Sequence, residues 1–312
     1  MLIALIIFLI IGLAFFIFTY IAYRITFYSS PKNRRDIMDT PKGIEFKNKT
    51  ADLDLLIKEM CDLPFEPVYI TSSDGKRLFA RYYHIKDGAP LHIQCHGYRG
   101  SGIRDFCGGN KLAREMGHNT LLIDQRAHGK SEGTAITFGI KERYDLLCWI
   151  NYAVERFGKE IPIIISGISM GGATVLMASE LELPSNVCGI IADCPYSSPE
   201  AIIKKVCKDL KLSPTLAFPF IKIGAVLYGH FNISGHSATN AVKNSKIPIL
   251  IIHGEEDLFV PCDMSREIFE ACPKGAIRET FADSDHGLSY VTDTERYKKI
   301  TADFVKGCLA NG

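Results

Sequence analysis

Residues 161–174, IPIIISGISMGGAT, place a serine between glycines directly after a run of apolar residues. The apolar run is typical of a buried strand, and the residues after the glycine pair at 171–172 suit a helix. Within this stretch, residues 167–171 read GISMG. This is a GxSxG pattern, which in hydrolases lifts the serine out of the sheet on a tight strand-to-helix turn. Gly167 and Gly171 are expected because side chains there would collide with the neighbouring strand and helix. Ser169 is therefore a candidate nucleophile, and an ordinary glycine-rich turn is the alternative.

A serine hydroxyl is a weak nucleophile near neutral pH unless an adjacent base, itself oriented by an acid, removes its proton. In GxSxG hydrolases the acid and then the histidine follow the serine, each after a later strand. Asp257 follows the apolar run ILIIHG, and His286 follows the last such run. Asp193, at the end of GIIAD, is the alternative acid. The sequence predicts a triad of Ser169, Asp257 and His286, and nearby acids are interpreted as solvated loop charges: Glu255, Glu256, Asp283 and Asp285.

The oxyanion formed during acyl transfer needs two hydrogen-bond donors. One is expected to be the backbone N–H of Met170, the residue after the nucleophile. The other is expected in the loop after the third strand, where His96 and Gly97 precede Tyr98. The Tyr98 N–H would donate, and its side chain would line the acyl pocket. The alternative is that His96 and Gly97 form only a turn.

Short apolar runs alternate with segments of helical length from about residue 90 onward. This alternation predicts an α/β fold with a parallel sheet covered on both faces. Two β-rich runs around Asp74 and Gly75 predict a hairpin that adds antiparallel strands to the sheet. Residues 195–246 interrupt the rhythm with prolines and an apolar run. Because so long a gap in a compact domain is usually a functional insertion, we interpret it as a mainly helical lid.

Residues 1–23 carry no charged side chain, and as a helix they would extend about 35 Å, enough to cross a bilayer. Basic residues follow, at Arg24, Lys32, Arg34 and Arg35. The positive-inside rule puts that flank in the cytoplasm. We predict a single-pass anchor at 1–23, a linker with one short helix at 24–64 and a cytoplasmic hydrolase domain at 65–312. An uncleaved or unusual signal peptide is the alternative.

The bulk composition argues against several other classes. The chain has 36 basic and 35 acidic residues, so no overall field favours nucleic acid. Its ten cysteines show no CxxC pair and suit buried reduced thiols. Residues 129–131, GKS, lack the glycine that a phosphate-binding loop requires five positions earlier, where Asp124 stands. Since HExxH, a clustered Cys/His set and a strand-linked GxGxxG are also missing, we predict neither metal nor dinucleotide cofactor.

The segments HGYRGS, DQRAHGKSEG, GISMGG, HGEEDLFVP and DHG, in this order, resemble the α/β-hydrolase superfamily. The resemblance is to bacterial serine aminopeptidase-like and prolyl-oligopeptidase-like hydrolases with an N-terminal membrane segment, over roughly residues 65–309. It implies an eight-stranded, mostly parallel sheet with Ser169, Asp257 and His286 as the triad. Family members more often have glycine where this chain has Ala127 or Asp285, which leaves the triad intact.

These observations predict a membrane-anchored serine hydrolase that forms an acyl-enzyme. A carboxylic ester with a hydrophobic, lipid-like acyl group is favoured because the predicted lid is apolar, and a thioester or amide is also compatible. A peptidase is the first alternative. An aminopeptidase would need an acidic clamp for the substrate amine, for which the lid offers only Glu200 and Asp209. A non-catalytic membrane-tethered scaffold is the alternative from another class. The sequence predicts no oligomeric state.

Overall fold

The computed structural model describes residues 1–34 and 50–311, so part of the predicted linker, including Arg35, lies outside the described residues. The strands are β1 (Glu66–Thr71), β2 (Arg77–Tyr83), β3 (Leu91–Cys95), β4 (Asn119–Asp124), β5 (Ile163–Ile168), β6 (Val187–Asp193), β7 (Ile249–Gly254) and β8 (Ile277–Phe281). The α-helices are α1 (Leu2–Thr26), α2 (Thr50–Cys61), α3 (Gly102–Glu115), α4 (Glu142–Phe157), α5 (Met170–Ala178), α6 (Pro199–Asp209), α7 (Pro214–Gly229), α8 (Ala238–Ala241), α9 (Cys262–Ala271), α10 (Ser289–Thr292) and α11 (Thr294–Asn311).

The strands form one eight-stranded sheet in the order β1-β2-β4-β3-β5-β6-β7-β8. The hairpin strand β2 runs antiparallel to both β1 and β4, and the other neighbours are parallel. The predicted α/β-hydrolase fold with a mostly parallel sheet is therefore confirmed. Because the chain leaves β3 toward β4 on one side and returns to β5 on the other, the strand order reverses between β3 and β5. In open α/β sheets, ligands bind beyond the carboxyl ends of the strands at such a point.

The two faces of the sheet bury alternate residues of the same strand. On β5, Ile163 and Ile165 belong to a large apolar cluster that includes Trp149 of α4, whereas Ile164 belongs to a second cluster with Phe304 of α11. This alternation follows from the two-residue period of a strand. Helices therefore cover both faces, and β5 is buried at the centre of the molecule. The strand that leads into the Ser169 turn is therefore packed on both faces.

The N-terminal helix α1 is the one helix among the described residues that is long and apolar enough to cross a membrane, judged by length and composition. Most of its side chains are exposed, unlike those of a core helix. Its C-terminal end is tied to the domain, because Phe27 is fully buried against Phe138 and Phe231. The Arg34 guanidinium also donates to backbone oxygens of the segment 128–133.

The interval 195–246 contains α6, α7 and α8 and lies between β6 and β7. Of these, α7 packs directly against α1, with the Phe220 ring 5.6 Å from the Phe15 ring and the Tyr228 ring 5.2 Å from the Tyr20 ring. A role of the interval as a lid, and the division of the chain at residues 23 and 64, stay predictions.

Candidate active site

Ser169 occupies a tight turn between β5 and α5, as the GxSxG pattern predicts. Its φ of 56° lies in the left-handed region that non-glycine residues rarely adopt. A Cβ at Gly167 would lie 2.1 Å from the backbone of Gly171, and a Cβ at Gly171 would lie 1.8 Å from the Cys95 oxygen. Both glycines are therefore required by close backbone approaches. The turn leaves Ser169 at the N-terminus of α5, beyond the end of β5.

The structure brings Ser169, His286 and Asp257 together in one hydrogen-bonded chain. His286 Nδ1 lies 2.7 Å from Asp257 Oδ2, and His286 Nε2 lies 3.0 Å from Ser169 Oγ. A carboxylate can only accept, so Nδ1 carries the hydrogen and Nε2 is left to accept from the serine hydroxyl. The arrangement has the connectivity of a nucleophile, a base and an orienting acid.

Asp257 is also fixed by its own loop. Its Oδ1 accepts from the backbone N–H groups of Phe259 and Val260, at 2.9 and 2.7 Å. Burial alone would raise the pKa of Asp257, but the charges and hydrogen bonds of His286 and His253 hold it well below its usual range. Asp257 is therefore a carboxylate over the ordinary pH range.

Asp193, the alternative acid, makes a different contact. Its Oδ2 accepts from the Tyr297 hydroxyl at 3.0 Å. Among the described residues, the Asp193 side chain makes no hydrogen bond to His286. Burial raises the pKa of Asp193 to about 6, against the lowering effect of the Tyr297 hydrogen bond. Asp193 contributes through its backbone instead, since its carbonyl accepts from the Ser169 N–H at 2.8 Å.

Among the competing acids, Glu255 and Glu256 are exposed, in agreement with their interpretation as loop charges. Asp285 differs from that interpretation. It is only partly exposed, and its Oδ1 accepts from the N–H of His286 at 2.6 Å and from the N–H of Leu258 at 3.3 Å. Asp285 therefore joins the loop that carries the histidine to the loop that carries the acid.

The loop after β3 lies against the nucleophile, since a Cβ at Gly97 would be 3.5 Å from Ser169 Cβ. His96 Nδ1 is 2.8 Å from the Gly97 oxygen, and its Nε2 accepts from a backbone N–H of the next loop. Met170 is the first residue of α5, where backbone N–H groups have no partner within the helix. Tyr98 and Met170 thus flank Ser169, from the two loops where the sequence predicts the oxyanion donors.

Two residues that the sequence reasoning missed hold the shape of this loop. Asp105 Oδ2 accepts from the Gly97 N–H at 2.7 Å, and His128 Nε2 accepts from the Arg99 N–H at 2.9 Å. These bonds engage the N–H groups on both sides of Tyr98 and so fix the orientation of its peptide. His128 belongs to the DQRAHGKSEG segment, so this segment supports the loop that carries Tyr98. An Asp in the first turn of a helix and a His in a turn carry no sequence signal for these roles.

Ser169 lies between two cavities of different character. A cavity of about 660 Å³ is almost entirely apolar and extends from Ser169 between α1, α6 and α7. A second cavity of about 700 Å³ lies on the side of His286 and mixes apolar groups with Arg104 and Asp285. Tyr98 lines both. The arrangement can receive the two halves of a substrate on opposite sides of one serine.

One group in the site has the composition of a metal centre. Ligand atoms of Cys194, Asp257 and His286 lie within 4.8 Å of one another. The 2.7 Å between His286 Nδ1 and Asp257 Oδ2 is a hydrogen-bond length, whereas two ligands of a tetrahedral zinc would be about 3.3 Å apart. The donor set therefore fits proton transfer and does not fit a shared ion.

The two acids available for an amine clamp are engaged elsewhere. Glu200 pairs with Lys204 and accepts from the Ser234 hydroxyl at 3.1 Å. Asp209 pairs with Lys205 at 2.6 Å. Neither carboxylate lines the cavities beside Ser169. Neither Glu200 nor Asp209 is therefore free to bind the amine of an aminopeptidase substrate.

Comparisons with known proteins agree with the fold. The alpha/beta hydrolase fold family matches residues 93–217. The uncharacterised Bacillus subtilis protein YqkD is 24% identical over 226 residues, which cover 72% of this chain and 74% of YqkD. Monoglyceride lipase of Rattus norvegicus is 30% identical over 148 residues, which cover 45% of this chain and 46% of the lipase. An esterase of Pyrococcus furiosus is similar in structure, with a TM-score of 0.64 and 23% identity over 80% of this chain and 92% of the esterase.

The family match runs from within β3 to the first turn of α7 and includes the GxSxG turn. The strand order and the similar esterase structure extend the likeness in fold to β7 and β8, which precede the loops of Asp257 and His286. The sheet, the serine turn and these similarities together show that the chain has the α/β-hydrolase fold.

Proposed function

We propose that this protein is a membrane-anchored serine hydrolase that cleaves carboxylic esters with a hydrophobic acyl group. The observation that carries the proposal is the position of His286, which bridges Ser169 Oγ at 3.0 Å and Asp257 Oδ2 at 2.7 Å. A histidine placed between a hydroxyl and a buried carboxylate can move a proton in either direction. Thioesters and amides could react by the same steps.

In the proposed reaction, His286 Nε2 takes the proton of Ser169 as Oγ attacks the ester carbonyl carbon. The N–H groups of Met170 and Tyr98 stabilise the negative charge on the former carbonyl oxygen. His286 then gives its proton to the departing alcohol, which leaves an acyl group on Ser169. Water, activated by the same histidine, attacks the acyl carbon, and the carboxylic acid departs as the serine regains its proton.

Asp257 has an orienting and an electrostatic role in this scheme. Its hydrogen bond keeps the histidine in the tautomer whose Nε2 faces the serine. Because the pKa of Asp257 is held low, the carboxylate remains charged when His286 becomes protonated, and it stabilises that imidazolium. The carboxylate itself takes no proton.

The chemistry of the two cavities beside Ser169 supports a substrate ester with a hydrocarbon acyl group and a more polar alcohol group. The cavity between α1, α6 and α7 offers a hydrocarbon chain almost no polar partner, whereas the cavity beside His286 contains charged side chains. Hydrophobic pockets with few polar groups bind ligands mainly through apolar area. The similarity to a protein named monoglyceride lipase is in line with an ester of this kind.

The apolar helix α1 supports attachment to a membrane by a single span. Arg24, Lys32 and Arg34 follow its apolar part, so the positive-inside rule predicts that residues 65–312 lie in the cytoplasm. Protease treatment of intact cells and of inverted vesicles tests this orientation. Digestion of the catalytic domain in intact cells would contradict it, and a free N-terminus beginning after residue 26 would indicate a cleaved signal.

Covalent labelling with a fluorophosphonate tests the nucleophile. We expect the native protein to be labelled as Ser169 Oγ displaces fluoride, Ser169→Ala to be unlabelled, and Ser179→Ala, at the end of the same helix, to be labelled normally. Equal labelling of native protein and Ser169→Ala would refute the assignment. No labelling of folded native protein would favour the scaffold alternative.

A panel of esters, thioesters and aminoacyl amides tests the substrate class. We expect the largest kcat/KM for esters of long acyl chains, because the apolar cavity can bury the chain at about 0.8 kcal/mol per methylene. Faster cleavage of aminoacyl amides than of any ester would instead support the peptidase alternative.

A further inference from the structure

The apolar cavity beside Ser169 has one wall that does not come from the hydrolase domain. Five residues of α1 line it, on the face of the helix turned toward the lid interval: Phe18, Ile21, Ala22, Ile25 and Thr26. The opposite wall consists of α6 and α7, and the inner end reaches Ser169. The helix with the composition of a membrane span therefore contacts the same space as the candidate nucleophile.

Close packing holds this wall in place. A Cβ at Gly224 of α7 would lie 2.6 Å from the backbone oxygen of Thr19, so α1 and α7 cross at a distance that only glycine allows. The Tyr228 hydroxyl donates to the Phe16 oxygen at 3.2 Å, and Thr19 is fully buried. The contact is thus a fitted helix crossing rather than a loose tether.

The outer rim of the cavity lies at the level where a membrane would end. Tyr20 and Arg24 occupy this part of α1 and are exposed, and a tyrosine with a basic residue is typical of the membrane–water interface. The rim residues Ile21 and Ile25 are 46% and 65% exposed. In a bilayer that holds α1, these exposed apolar groups would face acyl chains and lipid headgroups rather than bulk water.

The neighbouring surface of the lid interval is apolar as well. Leu210 and Leu212 line the cavity and are 62% and 52% exposed, and Leu216 of α7 is 72% exposed. Together with the rim of α1 they form one exposed apolar surface around the cavity. Exposed apolar surface of this kind marks a contact with a membrane or with another protein, and the membrane-span composition of the adjoining helix α1 favours a membrane.

We propose that α1 is part of the substrate site: it forms one wall of the acyl-binding cavity, and an ester enters between α1 and α7 directly from the bilayer. The inference rests on the proposed ester hydrolase function and names its substrate source, a lipid ester resident in the same membrane. Its acyl chain would pass from one hydrocarbon environment to another, so no apolar surface would need to cross water. The ester carbonyl would then reach Ser169 from the inner end of the cavity.

Crosslinking on the full-length native protein in phosphatidylcholine vesicles tests the wall. The probe is a hexadecyl fluorophosphonate with a diazirine at the chain end, which is attached to Ser169 and then illuminated. We expect crosslinks in residues 18–26 by mass spectrometry of the peptides. Crosslinks confined to the cavity beside His286, at Leu53 or Val291, would overturn the inference while leaving the hydrolase proposal intact. Absence of the Ser169 adduct would refute the hydrolase proposal itself.

A chain-length profile tests the same wall by substitution. Ala22→Trp would fill the cavity, whereas Leu13→Trp, on an exposed position that does not line it, is the matched control. We expect Ala22→Trp to lower the ratio of palmitoyl to butyryl ester kcat/KM about tenfold, in the range that hydrophobic pockets discriminate. An unchanged ratio, equal to that of the control, would overturn the inference. If Ala22→Trp does not fold, the crosslinks of the native chain decide.

The source of the ester is tested with one palmitoyl ester presented in two ways to native protein in vesicles. At equal total concentration, the ester incorporated in the same vesicles should be cleaved about tenfold faster than the ester supplied on albumin, because lateral entry needs substrate in the bilayer. Equal rates, or a faster reaction with albumin, would show that the cavity is filled from water and would overturn lateral entry.

Discussion

His253 Nε2 lies 3.2 Å from Asp257 Oδ2, the same oxygen that accepts from His286. Nε2 also lies 2.9 Å from the Val260 oxygen, so it carries the hydrogen and donates toward both acceptors. His253 is fully buried at the end of β7. Asp257 is therefore held by two histidines, of which only His286 reaches the serine.

The first prediction concerns this second histidine. His253→Leu removes one hydrogen bond to a charged group, so we expect kcat to fall about tenfold with little change in KM, at about 1.5 kcal/mol for such a bond. His253→Gln retains a donor and should recover part of the loss. Steady-state kinetics on a butyryl ester measure both. A loss confined to thermal stability, with kcat unaltered in the folded fraction, would leave His253 with a purely structural role.

The second prediction separates the two candidate acids. Asp257→Asn should lower kcat by about four orders of magnitude, the loss seen when a triad acid becomes an amide and the histidine takes the wrong tautomer. Asp193→Asn should lower kcat far less, because its side chain contacts Tyr297. Fluorophosphonate labelling rates provide a second measure. The opposite ranking would reassign the acid to Asp193.

The third prediction concerns the pH dependence of stability. The folded pKa of Asp193 is about 6, above the ordinary value near 3.9, so between these values the folded state holds a proton that the unfolded state has lost. The contribution of this proton to the free energy of unfolding falls as the pH rises from about 4 to 6. At pH 7, ionisation of the buried Asp193 carboxyl group costs about 3 kcal/mol of stability. Asp193→Asn should remove that cost.

Urea unfolding of native protein and Asp193→Asn at pH 4.5 and pH 7 measures the difference. We expect the variant to gain stability relative to native protein on going to pH 7. A difference between the two proteins that stays constant with pH would mean that Asp193 is already ionised in the folded state at pH 4.5.

The fourth prediction concerns the serine turn. Gly171→Ala places a methyl group 1.8 Å from the Cys95 oxygen, a backbone atom of the central sheet that cannot move aside. We expect a loss of about 4 kcal/mol or more in unfolding free energy. A Cβ at Gly307, in α11, would meet no atom within 4 Å apart from those of its chain neighbours and its own helix backbone, so Gly307→Ala should be neutral or gain about 0.5 to 1 kcal/mol. Equal stability of the two variants would contradict the close approach at Gly171.

The sequence predicts the parts of the site that follow local rules. A buried run, a GxSxG turn and acids or histidines just beyond later strands are short-range patterns, so Ser169, Asp257 and His286 could be named in advance and are found in hydrogen-bond contact. The alternation of strands with helices likewise predicted the sheet, because each apolar run must be covered on both faces.

The supporting contacts could not be predicted, because they join residues far apart in sequence. His128 meets Arg99, and Asp285 meets Leu258, through bonds that depend on how separate loops meet beyond the sheet. The sequence around His128 or Asp285 does not indicate which residue the side chain will contact. The contact of α1 with α7 is of the same kind, since both helices are simply apolar in sequence.

In the proposed membrane-anchored enzyme, the crossing of α1 and α7 at Gly224 would fix the distance between the bilayer and Ser169. A domain on a flexible tether would sample many heights and would meet substrate at its concentration in solution. A domain locked to its anchor meets substrate at a single height. The quantity that sets its rate is then the mole fraction of ester in the surrounding lipid, so diluting the ester with inert lipid should slow the enzyme even at constant bulk concentration.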